Sequence, residues 1–247
     1  MSAERKVALV TGSSRNIGYG VALRLAQDGY NIVINGTKNQ AACDAAVKDM
    51  KACGVDAISV LADMGKRADV ERLAKEALDH FGKVDVLVNN AAIRPHSGIF
   101  EMDEAEWENV MTTNLKSVFW LIRACCPGMV ERGWGRVINF SGMQAMRGYN
   151  GGAHISVSKH GLWGLTKALA KELAPQGITM NLISPGPTMT GQDDPNIQAR
   201  IARLGEDIPI GRLGAPEDIG AIVSMLVTDQ GAVVNGQMIQ ANGGLQT

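Results

Sequence analysis

Short apolar runs alternate with helical segments along the whole chain, and this alternation constrains the fold more than any other feature. The runs of strand length lie at residues 6–11, 31–35, 57–61, 84–89, 136–140, 178–184 and 237–240. The helical segments lie at residues 18–28, 40–53, 67–81, 103–131, 153–174 and 216–227. Continuously apolar strands separated by helices are typical of a parallel sheet covered on both faces. We therefore predict an α/β fold in which a doubly wound parallel sheet forms the middle of three layers, as one domain over residues 1–247.

Composition excludes several classes of protein. The chain has 247 residues, 45% of them apolar, which is enough to bury a full core. Its net charge of −1 argues against nucleic acid or an anionic membrane as the main partner. No apolar run reaches the length of a membrane span or a signal peptide. The cysteines are not spaced for a metal site, and we expect reduced thiols in a cytoplasmic protein with no bound metal; they are Cys43, Cys53, Cys125 and Cys126.

A glycine cluster follows the first strand. Residues 11–20 read T-G-S-S-R-N-I-G-Y-G. Gly12 permits a tight turn, and we expect Gly18 and Gly20 to let a helix begin close to a pyrophosphate. The spacing differs from the G-x-G-x-x-G pattern of most dinucleotide folds, so a tight turn without a nucleotide is an open alternative.

A second chemical signal lies in residues 139–161. The fifth strand ends at Ser141, a loop follows, and a helical segment that begins near Ala153 carries Lys159. A hydroxyl at a strand end that faces an amine on the next helix is a possible acid–base site. Residues 185–214 break the alternation with several Pro and Gly and a possible short helix at 196–204. Insertions at strand C-termini lie over the ligand crevice, so we predict a substrate lid at about 187–214.

Five motifs occur together and in order: T-G-x-x-x-N-I-G-x-G, N-N-A at 89–91, S-x(n)-S-K-x-G, N-x-x-x-P-G at 181–186, and G-Q-x-x-x-x-N-G-G near the end. With these five motifs in this order, residues 6–244 resemble the short-chain dehydrogenase/reductase family. The resemblance implies a Rossmann-type sheet of seven strands, a nicotinamide dinucleotide, a small-molecule substrate, and usually a homotetramer or homodimer. It also implies that Asp63 holds the adenine amino group and that Asn90 and Ala91 approach the adenosine ribose. The full set of cofactor contacts it implies is Gly12, Ser14, Arg15, Ile17, Gly18, Thr37, Lys38, Asp63, Met64, Asn90, Ala91, Lys159, Pro185, Gly186, Thr188 and Thr190.

The end of the second strand bears on which dinucleotide binds. An acidic residue there accepts hydrogen bonds from the ribose and repels a 2′-phosphate. Residues 35–38 read N-G-T-K, so Gly36 stands where the family's NAD-users carry Asp. Thr37 can donate a hydrogen bond, and Lys38 and Arg15 add positive charge. We predict NADP(H) in preference to NAD(H); the alternative is that both cations are only solvated surface charges.

The family mechanism uses Asn, Ser, Tyr and Lys, and three of these map onto Asn114, Ser141 and Lys159. By resemblance, the Asn supports a water relay, the Ser positions the substrate oxygen, and the Lys holds the nicotinamide ribose and lowers the pKa of the Tyr. That Tyr stands four residues before the Lys, where this chain has Ile155. Isoleucine transfers no proton, so we expect an atypical active site.

Three nearby residues are candidates to replace the Tyr. His154 has a suitable pKa, but five residues before Lys159 it points about 140° around the helix. A one-residue gap before the helix would place His154 in the Tyr position, although the Lys fixes the register. Ser156 lies on the right side but is a poor acid, and Tyr149 would have to fold back from the preceding loop. The absence of any general acid of the usual type is the fourth possibility.

Three functions therefore stay open at this stage. The first is an NADP(H)-dependent oxidoreductase acting on a secondary alcohol or ketone. The second is a non-redox lyase, hydratase or isomerase that uses Ser141 and His154, and the third is a catalytically impaired NADP(H)-binding protein. Fold does not choose among them, because function lies in the site. Loops at strand C-termini favour an acidic or polar substrate through Arg94, His96, Met143, Gln144, Met146 and Arg147, although surface arginines and apolar lining are an equally simple interpretation.

Overall fold

The structure is a computed structural model that describes residues 5–189 and 206–246. Within these ranges, seven strands alternate with helices. The strands are β1 (Val7–Val10), β2 (Asn31–Gly36), β3 (Ala57–Leu61), β4 (Val86–Asn89), β5 (Gly135–Phe140), β6 (Ile178–Pro185) and β7 (Met238–Ala241). The α-helices are α1 (Asn16–Gln27), α2 (Gln40–Ala52), α3 (Arg67–Phe81), α4 (Glu104–Met111), α5 (Ser117–Glu131), α6 (Gln144–Arg147), α7 (Ala153–Leu173) and α8 (Pro216–Leu226).

The strands form one parallel sheet in the order β3-β2-β1-β4-β5-β6-β7. Strand β1 lies at the centre, where Val10 pairs with Ile34 of β2 on one side and Val88 of β4 on the other. The chain winds outward in one direction from β1 to β3, then crosses back and continues from β4 to β7. The carboxyl ends of β1 and β4 therefore flank the point where the winding reverses, which is the usual ligand crevice of such a sheet. The predicted fold class is confirmed.

Helices cover both faces of the sheet because its strands are apolar on both faces. In β1, Val7 and Leu9 belong to the core beneath α3, α5 and α7, whereas Ala8 and Val10 belong to the core beneath α1, α2 and α8. This division follows the two-residue period of a strand. The two cores give the three layers that the apolar strands predict.

The predicted helix at 103–131 is three elements rather than one. Asp103 caps its start, as a carboxylate should, by accepting the backbone N–H of Glu106 at 2.6 Å. A five-residue π-helical stretch, Thr112–Lys116, then separates α4 from α5. Such π turns are frequent at functional sites, and this one contains Asn114. Helix α6 also lies where the sequence suggested only loop.

Gly20, in the first turns of α1, packs against a neighbouring helix. A Cβ on Gly20 would overlap Pro216 at the start of α8, so Gly20 allows α1 and α8 to pack closely. The expectation that Gly20 also brings α1 close to a pyrophosphate stays a prediction.

The predicted lid is described only at its two ends. Met189 donates its N–H to the carbonyl of Gly214 at 2.8 Å, and Gly214 donates to Pro187 at 3.0 Å. The predicted short helix at 196–204 and the predicted cofactor contact Thr190 lie outside the described residues. Within the described ranges, no helix combines the length and apolar character needed to cross a membrane.

Candidate active site

The predicted site residues collect along the carboxyl edge of the sheet, because every strand is parallel. Gly12 follows β1, Asp63 follows β3, Asn90 follows β4 and Ser141 follows β5. Pro185 is the last residue of β6. The topology therefore brings both halves of the predicted site to one edge, with the glycine loop at the reversal point.

The glycine loop is held in a fixed conformation by its own packing. Gly12 has φ +62°, a left-handed value that favours glycine. A Cβ on Gly18 would overlap the carbonyl oxygen of Gly12, so both glycines serve the same tight turn. Asn16 also has a positive φ, 52°, at the first position of α1. Asn tolerates this region better than most residues.

Asn35 organises the loop from the neighbouring strand, and sequence reasoning missed it. Its Oδ1 accepts the N–H of Gly12 at 3.0 Å, and its Nδ2 donates to three carbonyls, those of Gly36, Val60 and Ala62, at 3.2 Å each. The side chain is buried. A polar residue inside the otherwise apolar run I-V-I-N was the available signal, because a buried amide must find partners.

Asn90 completes the inner side of the loop. Its Nδ2 donates to the carbonyls of Thr11 and Gly12 at 2.9 and 3.1 Å. The Thr11 hydroxyl accepts the N–H groups of Asn90 and Ala91 at 3.0 and 3.1 Å. Asn90 and Ala91 were predicted to approach a ribose; in this structure their contacts fix β4 to the glycine loop.

The start of α1 suits a bound phosphate. No side chain caps this helix at Arg15, so the N–H groups of its first turn are not occupied by a capping oxygen. Helix N-termini with free N–H groups and a positive dipole end bind anions. Ser14 and Ile17 flank this turn, and Arg15 is exposed beside it. The residues present therefore fit the pyrophosphate of a dinucleotide.

The end of β2 carries no carboxylate. Gly36 is buried, and a Cβ placed there would meet the Cys43 sulfur at 2.5 Å. Thr37 and Lys38 are exposed next to it. Within the described residues, the side chains of Lys38 and Arg15 form neither an ion pair nor a hydrogen bond. This edge is open and positively charged.

The remaining predicted cofactor contacts lie in turns at the same edge. Asp63 accepts the N–H of Gly65 at 2.9 Å, and Met64 beside it is buried. Gly186 donates its N–H to Ala241 at 2.9 Å, and Thr188 donates its hydroxyl to the Gly186 carbonyl at 3.1 Å. These contacts define two rigid turns, one after β3 and one after β6.

Asn114 anchors the loop that follows β4. Its Oδ1 accepts the Ile93 N–H at 2.9 Å and its Nδ2 donates to the Ile93 carbonyl at 3.0 Å. The same amide lies 3.4 Å from the Ser158 hydroxyl on α7. The π-helical stretch therefore presents Asn114 to a backbone segment and to α7 at once.

Lys159 and Ser141 meet at the end of β5, but not through a direct bond. Lys159 Nζ donates to the Phe140 carbonyl at 2.7 Å, and within the described residues it makes no hydrogen bond to Ser141. The Ser141 Oγ is buried and has no hydrogen-bond partner. Burial, together with the positive charge of Arg94, lowers the pKa of Lys159 to about 7. The sequence predicted that the Ser141 hydroxyl faces the Lys159 amine. In the structure the amine donates to the carbonyl of Phe140, the residue before Ser141, and the Ser141 hydroxyl has no hydrogen-bond partner.

Ile155 and the three residues considered as replacements for the Tyr have different surroundings. Ile155 is buried one turn before Lys159 and belongs to neither hydrophobic core. His154 is fully buried, with Nε2 3.1 Å from Glu106 of α4 and Nδ1 without a partner. The Ser156 hydroxyl is also buried without a partner. Tyr149 is exposed and its ring lies 5.8 Å from that of His96. His154 therefore faces α4, as its angle on the helix predicts.

Arg94 lies in a recess between the loop after β4 and α4. A cavity of about 650 Å³ is bounded there by residues that include Arg94, Glu106 and Asn109. Arg94 is exposed to solvent, but enough protein surrounds its guanidinium to lower the pKa of that group. Both observations fit a guanidinium in a concave part of the surface. Arg147, by contrast, donates to the Leu245 carbonyl at 2.5 Å. No group of three or more His, Cys, Asp or Glu side chains in the described residues is arranged to hold a metal ion.

Fold and site together define a Rossmann-like α/β protein with a glycine loop, and with Ser141 and Lys159 near the same sheet edge. A family model described as Enoyl-(Acyl carrier protein) reductase matches residues 12–246. The chain belongs to the short-chain dehydrogenase/reductase family.

Curated relatives match over nearly their full length. The 3-oxoacyl-(acyl-carrier-protein) reductase FabG of Staphylococcus aureus (strain N315) is 38% identical over 240 residues, which cover 97% of this chain and 98% of the relative. The 3-oxoacyl-(acyl-carrier-protein) reductase of Synechocystis sp. is also 38% identical, over 97% of this chain and 96% of the relative. The acetoacetyl-CoA reductase of Allochromatium vinosum is 37% identical, over 97% of this chain and 98% of the relative. This chain is therefore similar to 3-oxoacyl-(acyl-carrier-protein) reductases and to an acetoacetyl-CoA reductase.

Proposed function

We propose that this protein is an NADP(H)-dependent oxidoreductase that interconverts a secondary alcohol and a ketone with an atypical active site. One observation carries the proposal. Ile155 is buried one helical turn before Lys159, and Lys159 is bonded at 2.7 Å to the carbonyl that precedes the unpartnered Ser141 hydroxyl. The Ser and Lys of the family's site are kept, and the proton-donor position carries an aliphatic side chain.

Each retained residue has a defined task in this proposal. The Ser141 hydroxyl, buried without a partner, donates a hydrogen bond to the substrate oxygen and stabilises charge that develops there. Lys159 would hold the nicotinamide ribose and supply a nearby positive charge. Asn114 holds Ile93 and α7 in position through its amide. The nicotinamide, when bound, supplies or accepts the hydride.

Ile155 leaves the proton transfer without its usual carrier. Loss of a positioned general acid costs on the order of 10²–10⁴ in rate, which slows such an enzyme without abolishing its activity. With its pKa lowered to about 7, Lys159 has a labile proton near neutral pH. Solvent in the cleft, the Ser141 hydroxyl and Lys159 are then the groups left to supply the proton.

The cofactor preference rests on the end of β2. Gly36 offers no carboxylate to a ribose, and Thr37, Lys38 and Arg15 form an open cationic edge. A 2′-phosphate would gain charge-assisted hydrogen bonds there. Comparison of dissociation constants tests this: tighter binding of NADP(H) than of NAD(H) supports the proposal, and the reverse order contradicts it.

A panel of ketones and alcohols, followed at the nicotinamide absorbance, tests the reaction class. Redox turnover that falls about 100-fold in Ser141→Ala supports the oxidoreductase. Product formation by mass spectrometry without redox change would instead indicate the lyase, hydratase or isomerase alternative. Cofactor binding with no product would indicate a binding protein. The alternative that pairs Ser141 with His154 has no contact between the two side chains to support it in the described residues, since His154 faces Glu106.

Assembly as a homotetramer or homodimer, with a small acidic or polar substrate, remains part of the proposal. Light scattering coupled to size-exclusion chromatography measures the first.

A further inference from the structure

The loop after β4 carries one arginine, Arg94, whose positive charge acts on the candidate catalytic lysine. Asn114 binds both the N–H and the carbonyl of Ile93, the residue before Arg94. Three residues later, Ser97 donates its N–H to the Gly151 carbonyl at 2.8 Å, which joins this loop to the one before α7. The backbone on both sides of Arg94 is therefore anchored, which fixes the point from which its side chain extends.

Arg94 has no counter-charge of its own. Within the described residues, its guanidinium forms no hydrogen bond and no ion pair. The acidic residues at the same cavity are engaged elsewhere: Glu106 with His154 at 3.1 Å and Asp103 with the start of α4. Lys159, the neighbouring cation, donates to a backbone carbonyl and to no other group in the part of the chain that the structure describes. The positive charges of Arg94 and Lys159 disfavour each other, so an anion bound to Arg94 on the side of Lys159 would relieve that repulsion.

The position of Arg94 indicates that this anion is part of the substrate rather than a phosphate of the dinucleotide. The predicted phosphate contacts lie at the start of α1 and at the end of β2, whereas Arg94 lies between β4, α4 and the loop that carries Tyr149. Arg94 is close enough to Tyr149 for the two to interact electrostatically. A single guanidinium with a planar fork of donors matches one carboxylate in bidentate geometry.

We propose that Arg94 is a specificity-determining residue that binds the free carboxylate of a short oxo acid or hydroxy acid, with the reacting carbon held at Ser141. This inference rests on the proposed function for its reaction, but it makes a claim about binding that stands by itself. It also separates this chain from its relatives, whose names give thioester substrates, in which that carboxylate is masked.

The test uses pairs of ligands that differ only in the negative charge. We would titrate 2-oxo and 3-oxo acids of four to six carbons, each beside its methyl ester, into the NADP⁺-loaded protein by calorimetry. The N-acetylcysteamine thioester of each 3-oxo acid serves as a second neutral ligand. Where turnover is seen with NADPH, kcat/KM is measured for the same sets.

Four proteins are compared: wild type, Arg94→Met, Arg94→Lys and Arg67→Gln. Arg67 is exposed on α3 and paired with Glu71, so its loss matches the charge change far from the cleft. We expect the wild type and Arg67→Gln to favour at least one acid over its ester by about 30-fold or more. Arg94→Met should remove that preference, and Arg94→Lys should keep part of it because charge remains without the fork.

The outcomes separate the two claims. Preferential binding of an acid that is lost in Arg94→Met supports the inference, even if no ligand gives redox turnover and the proposed reaction fails. Equal or tighter binding of the esters or thioesters by the wild type overturns it, as does an acid preference that survives in Arg94→Met. Circular dichroism confirms that each variant is folded before titration.

Discussion

Lys159 Nζ donates a 2.7 Å hydrogen bond to the carbonyl of Phe140, the residue that precedes Ser141. This bond ties the helix that carries the amine to the strand that carries the hydroxyl. It also explains how a cation tolerates this degree of burial, since the carbonyl replaces one of its lost water contacts. The Ser–Lys pair is thereby fixed whether or not an acid stands at position 155.

The burial of Lys159 predicts an unusual dependence of stability on pH. Its pKa is about 7 in the folded protein and near 10.5 when unfolded. Between those values the unfolded chain holds a proton that the folded protein lacks, so the free energy of unfolding should rise with pH, by at most about 1.4 kcal/mol per unit. Below pH 7 and above pH 10.5 this contribution becomes flat.

Lys159→Met should remove this rise and stabilise the protein most below pH 7, where the wild type buries a cation. Urea denaturation from pH 6 to pH 10 measures it. Lys171→Met is the matched control, because Lys171 is exposed on the same helix. Parallel curves for wild type and Lys159→Met would contradict the lowered pKa.

The packing of Cys43 against Gly36 predicts how cofactor preference can be changed. Gly36→Asp alone should destabilise the protein, because the new Cβ meets the Cys43 sulfur. Gly36→Asp combined with Cys43→Ala has room for the carboxylate, which repels a 2′-phosphate. We expect the ratio of the NADP(H) and NAD(H) dissociation constants to move toward NAD(H) by about 10- to 100-fold.

Two further variants check that interpretation. Cys43→Ala alone should leave the ratio unchanged, and Lys38→Ala should weaken NADP(H) without affecting NAD(H). Lys48→Ala, an exposed change on α2, is the control for loss of charge. A double variant that folds and keeps the wild-type ratio would place the 2′-phosphate away from Gly36.

Asn35 should be essential to the glycine loop. Asn35→Leu leaves the Gly12 N–H and the three carbonyls that its amide contacts without these partners. We expect a loss of about 2–4 kcal/mol in the free energy of unfolding and at least about 10-fold weaker dinucleotide binding. Chemical denaturation and cofactor titration measure the two effects. Normal cofactor affinity in this variant would mean that the loop keeps its shape without Asn35.

Much of the fold could be predicted from the sequence, and β3 and α3 show why. Both elements have the predicted bounds, Ala57–Leu61 and Arg67–Phe81, because a short apolar run and a strong helical period each point to one structure. The π-helical stretch at Asn114 was missed because one extra residue in a turn leaves the helical pattern on both sides intact.

The site was less predictable than the fold. Sequence motifs predicted that Ser141, Lys159 and Asn114 lie in the same region. They did not predict which groups these side chains contact. Lys159 bonds a backbone carbonyl, and the role of Gly20 depends on Pro216 of a distant helix. Arg94 belongs to no sequence motif. We assign it a binding role because its charge acts on Lys159 and because no counter-charge pairs with it among the described residues. Such relationships depend on tertiary contacts that no local pattern encodes.

The central claim is that Ile155 occupies the position of the family's proton donor, and Ile155→Tyr tests it most directly. The measurement is kcat/KM for ketone reduction with NADPH, beside wild type and the size-matched control Ile155→Phe, with each fold checked by circular dichroism. We predict a rise of about 10-fold or more in Ile155→Tyr and none in Ile155→Phe, because only the tyrosine adds an acid one turn from Lys159. A folded Ile155→Tyr protein with no gain over Ile155→Phe would contradict the claim.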